Sequence, residues 1–223
     1  MQRIGLLGGT FDPIHFGHLR VGVEVQEALG LNELWFVVAA SPPHKACLTP
    51  FHHRQAMVES AIRGYKGFRC IGVEAEREGP SYSIDTLRCL THGKQPFMHQ
   101  ACEFFFVLGL EQFQGITTWK DYEQLTDYAH LVVIDRGAQQ GMAEKLVFQV
   151  VERAFSGYRP WNESLLRFVC DQKKDILLLH VTRLDISSSM IRSKQKTGLS
   201  VAFLTEASVI EYINANHLYD GSL

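Results

Sequence analysis

The chain has 223 residues, of which 46% are hydrophobic and 21% charged, with a formal net charge of −2 and a pI near 6.5. That gives ample material for a core, fits one domain, and leaves no broad basic footprint for duplex nucleic acid. No apolar run approaches the ~20 residues of a membrane span, and the first residues do not read as a signal sequence. Five scattered cysteines (Cys47, Cys70, Cys89, Cys102, Cys170) show no Cys-x-x-Cys spacing, which predicts reduced thiols and a cytoplasmic protein.

Residues 4–7 read as a buried first strand, and 19–29 as a helix of apolar period. Strands follow at 34–38 and 68–73, separated by a helix at 52–62. A helix over 83–90 has a serine as its candidate N-cap. Residues 104–108 form a very apolar strand, 121–128 look helical, 131–134 read as a strand, and 142–155 are amphipathic. Residues 157–162 read as a looser connection, 176–181 as the last core strand, and 188–196 and 205–215 as helices. Apolar strands alternating with helices predict an α/β fold, a Rossmann-like open and mostly parallel sheet with helices on both faces. One domain spans 1–223, with a C-terminal helical part, about 188–223, packed on it. Ligands of such sheets bind beyond the carboxyl ends of the strands, at the topological switch point.

The segment Gly8-Gly9-Thr10-Phe11-Asp12-Pro13-Ile14-His15-Phe16-Gly17-His18 falls at that edge. Small residues there let backbone approach a ligand, and a following helix start attracts phosphate. His15 and His18 have no second pair of ligands at zinc spacing and lie in no His-Glu-x-x-His helix. At the far end, Ile186-Ser187-Ser188-Ser189-Met190-Ile191-Arg192 places serines at a helix start and sets Ser188 and Arg192 on one helix face. Loops at 41–50 and 77–83 carry Pro, Gly and basic residues and are candidate binding loops. There is no P-loop, no Gly-x-Gly-x-x-Gly fingerprint and no Gly-x-Ser-x-Gly elbow.

The opening segment resembles the signature of the nucleotidyltransferases marked by His-x-Gly-His. The Ile186–Arg192 segment resembles the Ile-Ser-Ser-x-x-Ile-Arg motif of the same superfamily. Pro42-Pro43-His44-Lys45, Pro80-Ser81-Tyr82-Ser83, Gly109-Leu110-Glu111 and Thr118-Trp119 are similar to segments of bacterial nicotinate mononucleotide adenylyltransferases. The resemblance implies transfer of adenylate from ATP to nicotinate mononucleotide, with pyrophosphate released, in NAD synthesis. It implies that His18, Lys45 and Arg192 are catalytic. Gly8, Gly9, Thr10, Phe11, His15, His18, Gly109, Glu111, Ile186, Ser187, Ser188 and Arg192 would bind ATP. Tyr82, Ser83, Trp119, Lys120 and Arg136 would bind the mononucleotide. Trp119 would stack on the pyridine ring, and the backbone N–H groups of Ser83 and Lys120 would receive its carboxylate. Mg2+ is expected on the phosphates, with no protein metal ligands. The implied partners are these small molecules, with neither nucleic acid nor membrane, and a homo-oligomer stays open.

The chain departs from that pattern in places. Ala39-Ala40 stands where asparagines are usual, Glu111 where Asp is common, Lys120 where Tyr is common, and no proline follows Arg136-Gly137. The alternatives are an adenylyltransferase for nicotinamide mononucleotide or phosphopantetheine, and a nucleotide-binding sensor without turnover.

Overall fold

A computed structural model describes residues 1–42, 49–92, 101–137, 141–164 and 166–220. Eight strands lie in one sheet: β1 Gln2–Gly9, β2 Glu33–Val38, β3 Phe68–Ile71, β4 Cys102–Gly109, β5 Ala129–Asp135, β6 Arg159–Pro160, β7 Arg167–Cys170 and β8 Lys173–His180. Their order is β3-β2-β1-β4-β5-β8-β7-β6. The pairs from β3 to β8 are parallel, and β8-β7-β6 is antiparallel. The helices are α1 Phe16–Leu29, α2 Phe51–Ile62, α3 Ser83–His92, α4 Leu110–Gln114, α5 Leu125–Tyr128, α6 Met142–Ala154, α7 Ser188–Lys196 and α8 Ala207–Ala215.

The two-residue period of the strands divides the apolar side chains between two cores. Phe104, Phe106 and Leu108 of β4 join Ile4, Leu6, Leu131 and Val133 on the face covered by α3 and α6. Phe105 and Val107 join Leu7, Phe36 and Val132 on the other face, covered by α1, α2 and α8. A strand buried on both faces has to be apolar throughout, which is why β4 reads as a continuous run.

The chain leaves β1 toward β2 on one side, and β4 pairs on the other. The crevice beyond the carboxyl ends of β1 and β4 is therefore the switch point of the sheet.

Several boundaries differ from the sequence expectation. Helix α1 begins at Phe16, three residues early, because His15 takes the N-cap position. Strand β3 stops at Ile71, and Val73–Glu76 turn into a 3-10 helix. The 121–128 stretch is a 3-10 turn, Tyr122–Gln124, followed by the short α5. The expected loose connection at 157–162 contains β6, which pairs with β7. β6 is exposed and only Phe168 of the four-residue β7 is fully buried, so neither carries an apolar period to read. The four-residue β7 and the five-residue α4 are likewise absent from the sequence expectation. Ser83 is the first residue of α3 and not its cap, since the Tyr82 carbonyl accepts from the N–H groups of Asp85 and Thr86.

Candidate active site

The turn after β1 is held from behind by its carbonyls. Arg54 Nη1 donates to the Thr10 carbonyl at 2.8 Å. Arg192 Nη1 donates to that of Asp12 at 2.6 Å, Ser188 Oγ to that of Pro13 at 2.8 Å, and Thr205 Oγ1 to that of Ile14 at 2.8 Å. A trans peptide points its N–H opposite to its carbonyl. These bonds therefore turn the N–H groups of Phe11 and Ile14 away from the residues that hold the turn. Phe11 adopts a φ of 50°, in the left-handed region. Its ring lies so close to Gly9 that a Cβ there would come within 2.7 Å, so the second glycine of the pair has a steric reason.

His15 and His18 stack, with ring centroids 3.7 Å apart and 30° between planes. The His15 N–H donates to His18 Nδ1 at 3.3 Å, and Phe11 meets the His18 ring edge-on at 5.0 Å. His15 is 4% exposed and its Nδ1 has no hydrogen-bond partner, whereas His18 stays half-buried. A Cβ on Gly17 would sit 3.0 Å from the His15 ring and 3.8 Å from the Ile186 carbonyl. The glycine of His-x-Gly-His thus leaves room for the His15 ring, while the Ile186 carbonyl lies at ordinary contact distance. Ser187 caps α7, accepting from the Met190 N–H at 3.2 Å.

Burial, with the Arg136 guanidinium second, lowers the His15 imidazole to about 4 from 6.5. The unfolded chain then binds the proton more readily than the folded one. The neutral ring costs no stability above pH 6.5. A penalty grows as pH falls below that value and levels off below about 4. Urea unfolding of His15→Asn between pH 7 and 4 is expected to show a flatter loss of stability than the parent. Identical slopes would contradict this assignment.

A cavity of about 730 Å3 opens beyond the strand ends, a size suited to a small ligand. Gly8, Gly9 and Thr10 form one wall, and Tyr82, Ser83, Trp119 and Lys120 form the opposite one. The indole of Trp119 stands edge-to-face with Phe106 at 6.3 Å. Ser83 presents its N–H at the start of α3. Lys120, which lines the cavity, pairs its Nζ with Asp85 at 2.9 Å and sets it over the Tyr82 ring.

Phe11, His15, His18, Gly109, Glu111, Arg136, Ile186, Ser187, Ser188 and Arg192 are outside this lining; His15, His18, Ser188 and Arg192 meet at the turn that follows Thr10. The Gly109 N–H donates to Gln112 Oε1 at 2.9 Å, and Glu111 is exposed on α4. Arg136 follows β5. Desolvation lowers its guanidinium, opposed by Glu111, and its charge reaches His15. It therefore stands beside the histidine side of the crevice. Lys45, with Pro43 and His44, lies outside the described residues, while Pro42 lines the cavity.

Sequence reasoning missed four supports. Arg54 and Thr205 hold the turn as described. Glu74 Oε1 accepts from Thr86 Oγ1 at 2.6 Å, and the Thr86 N–H bonds the Tyr82 carbonyl, which fixes the peptide that bears the Ser83 N–H. Tyr219 Oη donates to the buried Asp12 Oδ1 at 2.6 Å, across 207 residues of chain. The phenol is raised by burial and by that bond, so it keeps its proton. No local pattern marks these residues, because their partners are distant backbone atoms or single side chains. Tyr219→Phe is expected to cost about 1.5–3 kcal/mol in urea unfolding, as for a hydrogen bond to a charged group. A change under about 0.5 kcal/mol would show that the bond contributes little.

Residues 6–194 match the cytidylyltransferase-like family. A relative from Desulfatibacillum aliphaticivorans is 38% identical over 222 residues, covering 98% of this chain and 100% of its own. One from Geotalea daltonii is also 38% identical, over 98% and 99%. Both carry the name "probable nicotinate-nucleotide adenylyltransferase". The fold is similar to that of Plasmodium falciparum nicotinic acid mononucleotide adenylyltransferase complexed with NaAD, with a TM-score of 0.72, 22% identity and 98% of each chain covered. With these relatives over nearly its whole length, the chain belongs to the cytidylyltransferase-like family and, within it, to the nicotinate-nucleotide adenylyltransferases.

Proposed function

We propose that this protein transfers the adenylyl group of ATP to nicotinate mononucleotide, giving nicotinate adenine dinucleotide and pyrophosphate in NAD synthesis. The observation that carries this reading is the junction of the two distant motifs. Ser188 and Arg192 grip the adjacent carbonyls of Pro13 and Asp12, next to the stacked histidines and beside a cavity walled by Trp119.

The chemistry asks for few reactive side chains. A phosphate oxygen of the mononucleotide is already a nucleophile at neutral pH, so the protein has to align it with the α-phosphorus and neutralise the leaving group. His18 donates to the α-phosphate oxygens as they gain charge. Lys45, Arg192 and the α7 start at Ser187–Ser188 hold the β- and γ-phosphates, with Gly8–Phe11, His15, Gly109, Glu111 and Ile186 completing the ATP site. Displacement is direct and in line, without an enzyme-bound intermediate. The donor set around the turn is imidazole, guanidinium and hydroxyl, which suits phosphate oxygens and not a hard cation. Mg2+ therefore enters on the triphosphate, largely hydrated.

On the mononucleotide side Trp119 stacks on the pyridine, beside Tyr82, and the N–H groups of Ser83 and Lys120 receive the carboxylate. Arg136 attends the mononucleotide from the histidine side. No helix among the described residues is long and apolar enough to cross a membrane, and the four described cysteines form no disulfide. The proposed partners are these small molecules, and the proposed location is the cytoplasm.

Two donors facing a carboxylate disfavour a carboxamide, whose own N–H2 would oppose one of them. Nicotinate mononucleotide is expected to exceed the amide in kcat/KM by about 10- to 100-fold, or ~1–3 kcal/mol. Parallel rates with the two acceptors check this, and an equal or reversed preference would remove the assigned role of Ser83 and Lys120. ATP labelled at the α-phosphate tests the reaction type. The label should appear in the dinucleotide. Its appearance in a free nucleoside diphosphate would indicate phosphoryl transfer and overturn the reading.

A further inference from the structure

Arg54 is among the largest fully buried side chains, 1% exposed, although it sits in the His52-His53-Arg54 stretch of α2. Backbone carbonyls accept four of its five N–H donors, and the guanidinium lies over the Phe51 ring at 5.7 Å. Nε donates to Thr49 at 3.0 Å, Nη1 to Thr10 at 2.8 Å and Ala39 at 2.7 Å, and Nη2 to Ala40 at 3.3 Å. Among the described residues no carboxylate pairs with it, and every Asp and Glu of the chain is described. Buried charges are normally paired, so a guanidinium held by carbonyl dipoles and one aromatic face, with no carboxylate, calls for a reason.

Its position supplies one. Gly9, Thr10 and Ala39 line the cavity, and the Ala39 N–H bonds the Gly9 carbonyl at 2.9 Å. Arg54 stands behind that wall and ties the end of β1 to the end of β2 through one planar fork. By holding the Thr10 and Ala39 carbonyls it turns the N–H groups of Phe11 and Ala40 to the opposite side. It also leaves a net positive charge just behind backbone that borders the site of two phosphorylated substrates.

We infer that Arg54 is a positioning residue for adenylyl transfer, a carbonyl-held cation that sets the Thr10–Ala39 wall and favours phosphate against it. This rests on the proposed function. Two parts of the role are separable: the fork sets geometry, and the charge sets affinity.

The test compares Arg54→Lys, which keeps the charge and loses the fork, with Arg54→Gln, which loses the charge and keeps amide donors. Arg54→Lys is expected to lower kcat by about 10- to 100-fold, as a small misplacement does, with KM for ATP within about threefold. It should keep the rise in Tm that inorganic tripolyphosphate gives the parent protein. Arg54→Gln is expected to lower kcat similarly and to lose most of that Tm rise. Both variants folded, with kcat within twofold of the parent and an unchanged tripolyphosphate shift, would overturn the inference. Should neither fold, the parent protein still decides. The Nε–H resonance of Arg54 should exchange slowly with solvent and shift on adding tripolyphosphate, and an unperturbed resonance would overturn it. Turnover of the parent with ATP and nicotinate mononucleotide is measured separately, so loss of the functional reading is distinguishable from loss of this one.

Discussion

His18→Ala should lower kcat by about 10²–10³-fold, the usual cost of removing one donor to a developing oxyanion, with the Tm lower by only a few degrees for the lost bond from the His15 N–H. The stability half follows from the packing. His18 is half-buried in the first turn of α1, where the N-cap position and the buried ring belong to His15. The His15 ring and Phe11 flank the His18 imidazole and hold its orientation, so the donor is placed before substrate arrives. Steady-state rates with saturating ATP and mononucleotide, alongside a thermal melt, check both halves. A kcat within fivefold of the parent would remove His18 from the transition state.

Arg192→Ala should lower kcat/KM for ATP by about 10²-fold, the loss of a charge-assisted hydrogen bond, and Arg192→Lys should recover little of it. One arm of this guanidinium already holds the Asp12 carbonyl at 2.6 Å. The substitution therefore removes the proposed phosphate partner and loosens the turn. Lysine has one point of charge and cannot span both tasks. KM for the mononucleotide should move less than KM for ATP, and the opposite split would place Arg192 on the wrong substrate.

The sequence carried the fold where burial imposes a period. Strands β1, β2, β4 and β5 and helix α6 are apolar runs or stripes because both faces of the sheet are covered, and their positions were legible to within a few residues. Strands β6 and β7 were not, since an exposed β6 and a β7 with only Phe168 fully buried have no such period. The candidate site was legible where small residues and histidines cluster locally, as in Gly8–His18. It was not legible where the support is long-range. Arg54 follows two histidines in the chain and Tyr219 lies near its end, and no local pattern singles out either. Each is defined by a partner 44 or 207 positions away. Arg136 follows β5 as expected, but its charge reaches the His15 side of the crevice, which only the fold could reveal.

Pyrophosphate release with ATP and a panel of phosphorylated acceptors tests the central claim most directly. Nicotinate mononucleotide should give the fastest release, nicotinamide mononucleotide a slower one, and phosphopantetheine none above background. Measurable ATP affinity with silence for every acceptor, or a faster rate with phosphopantetheine, would contradict the account.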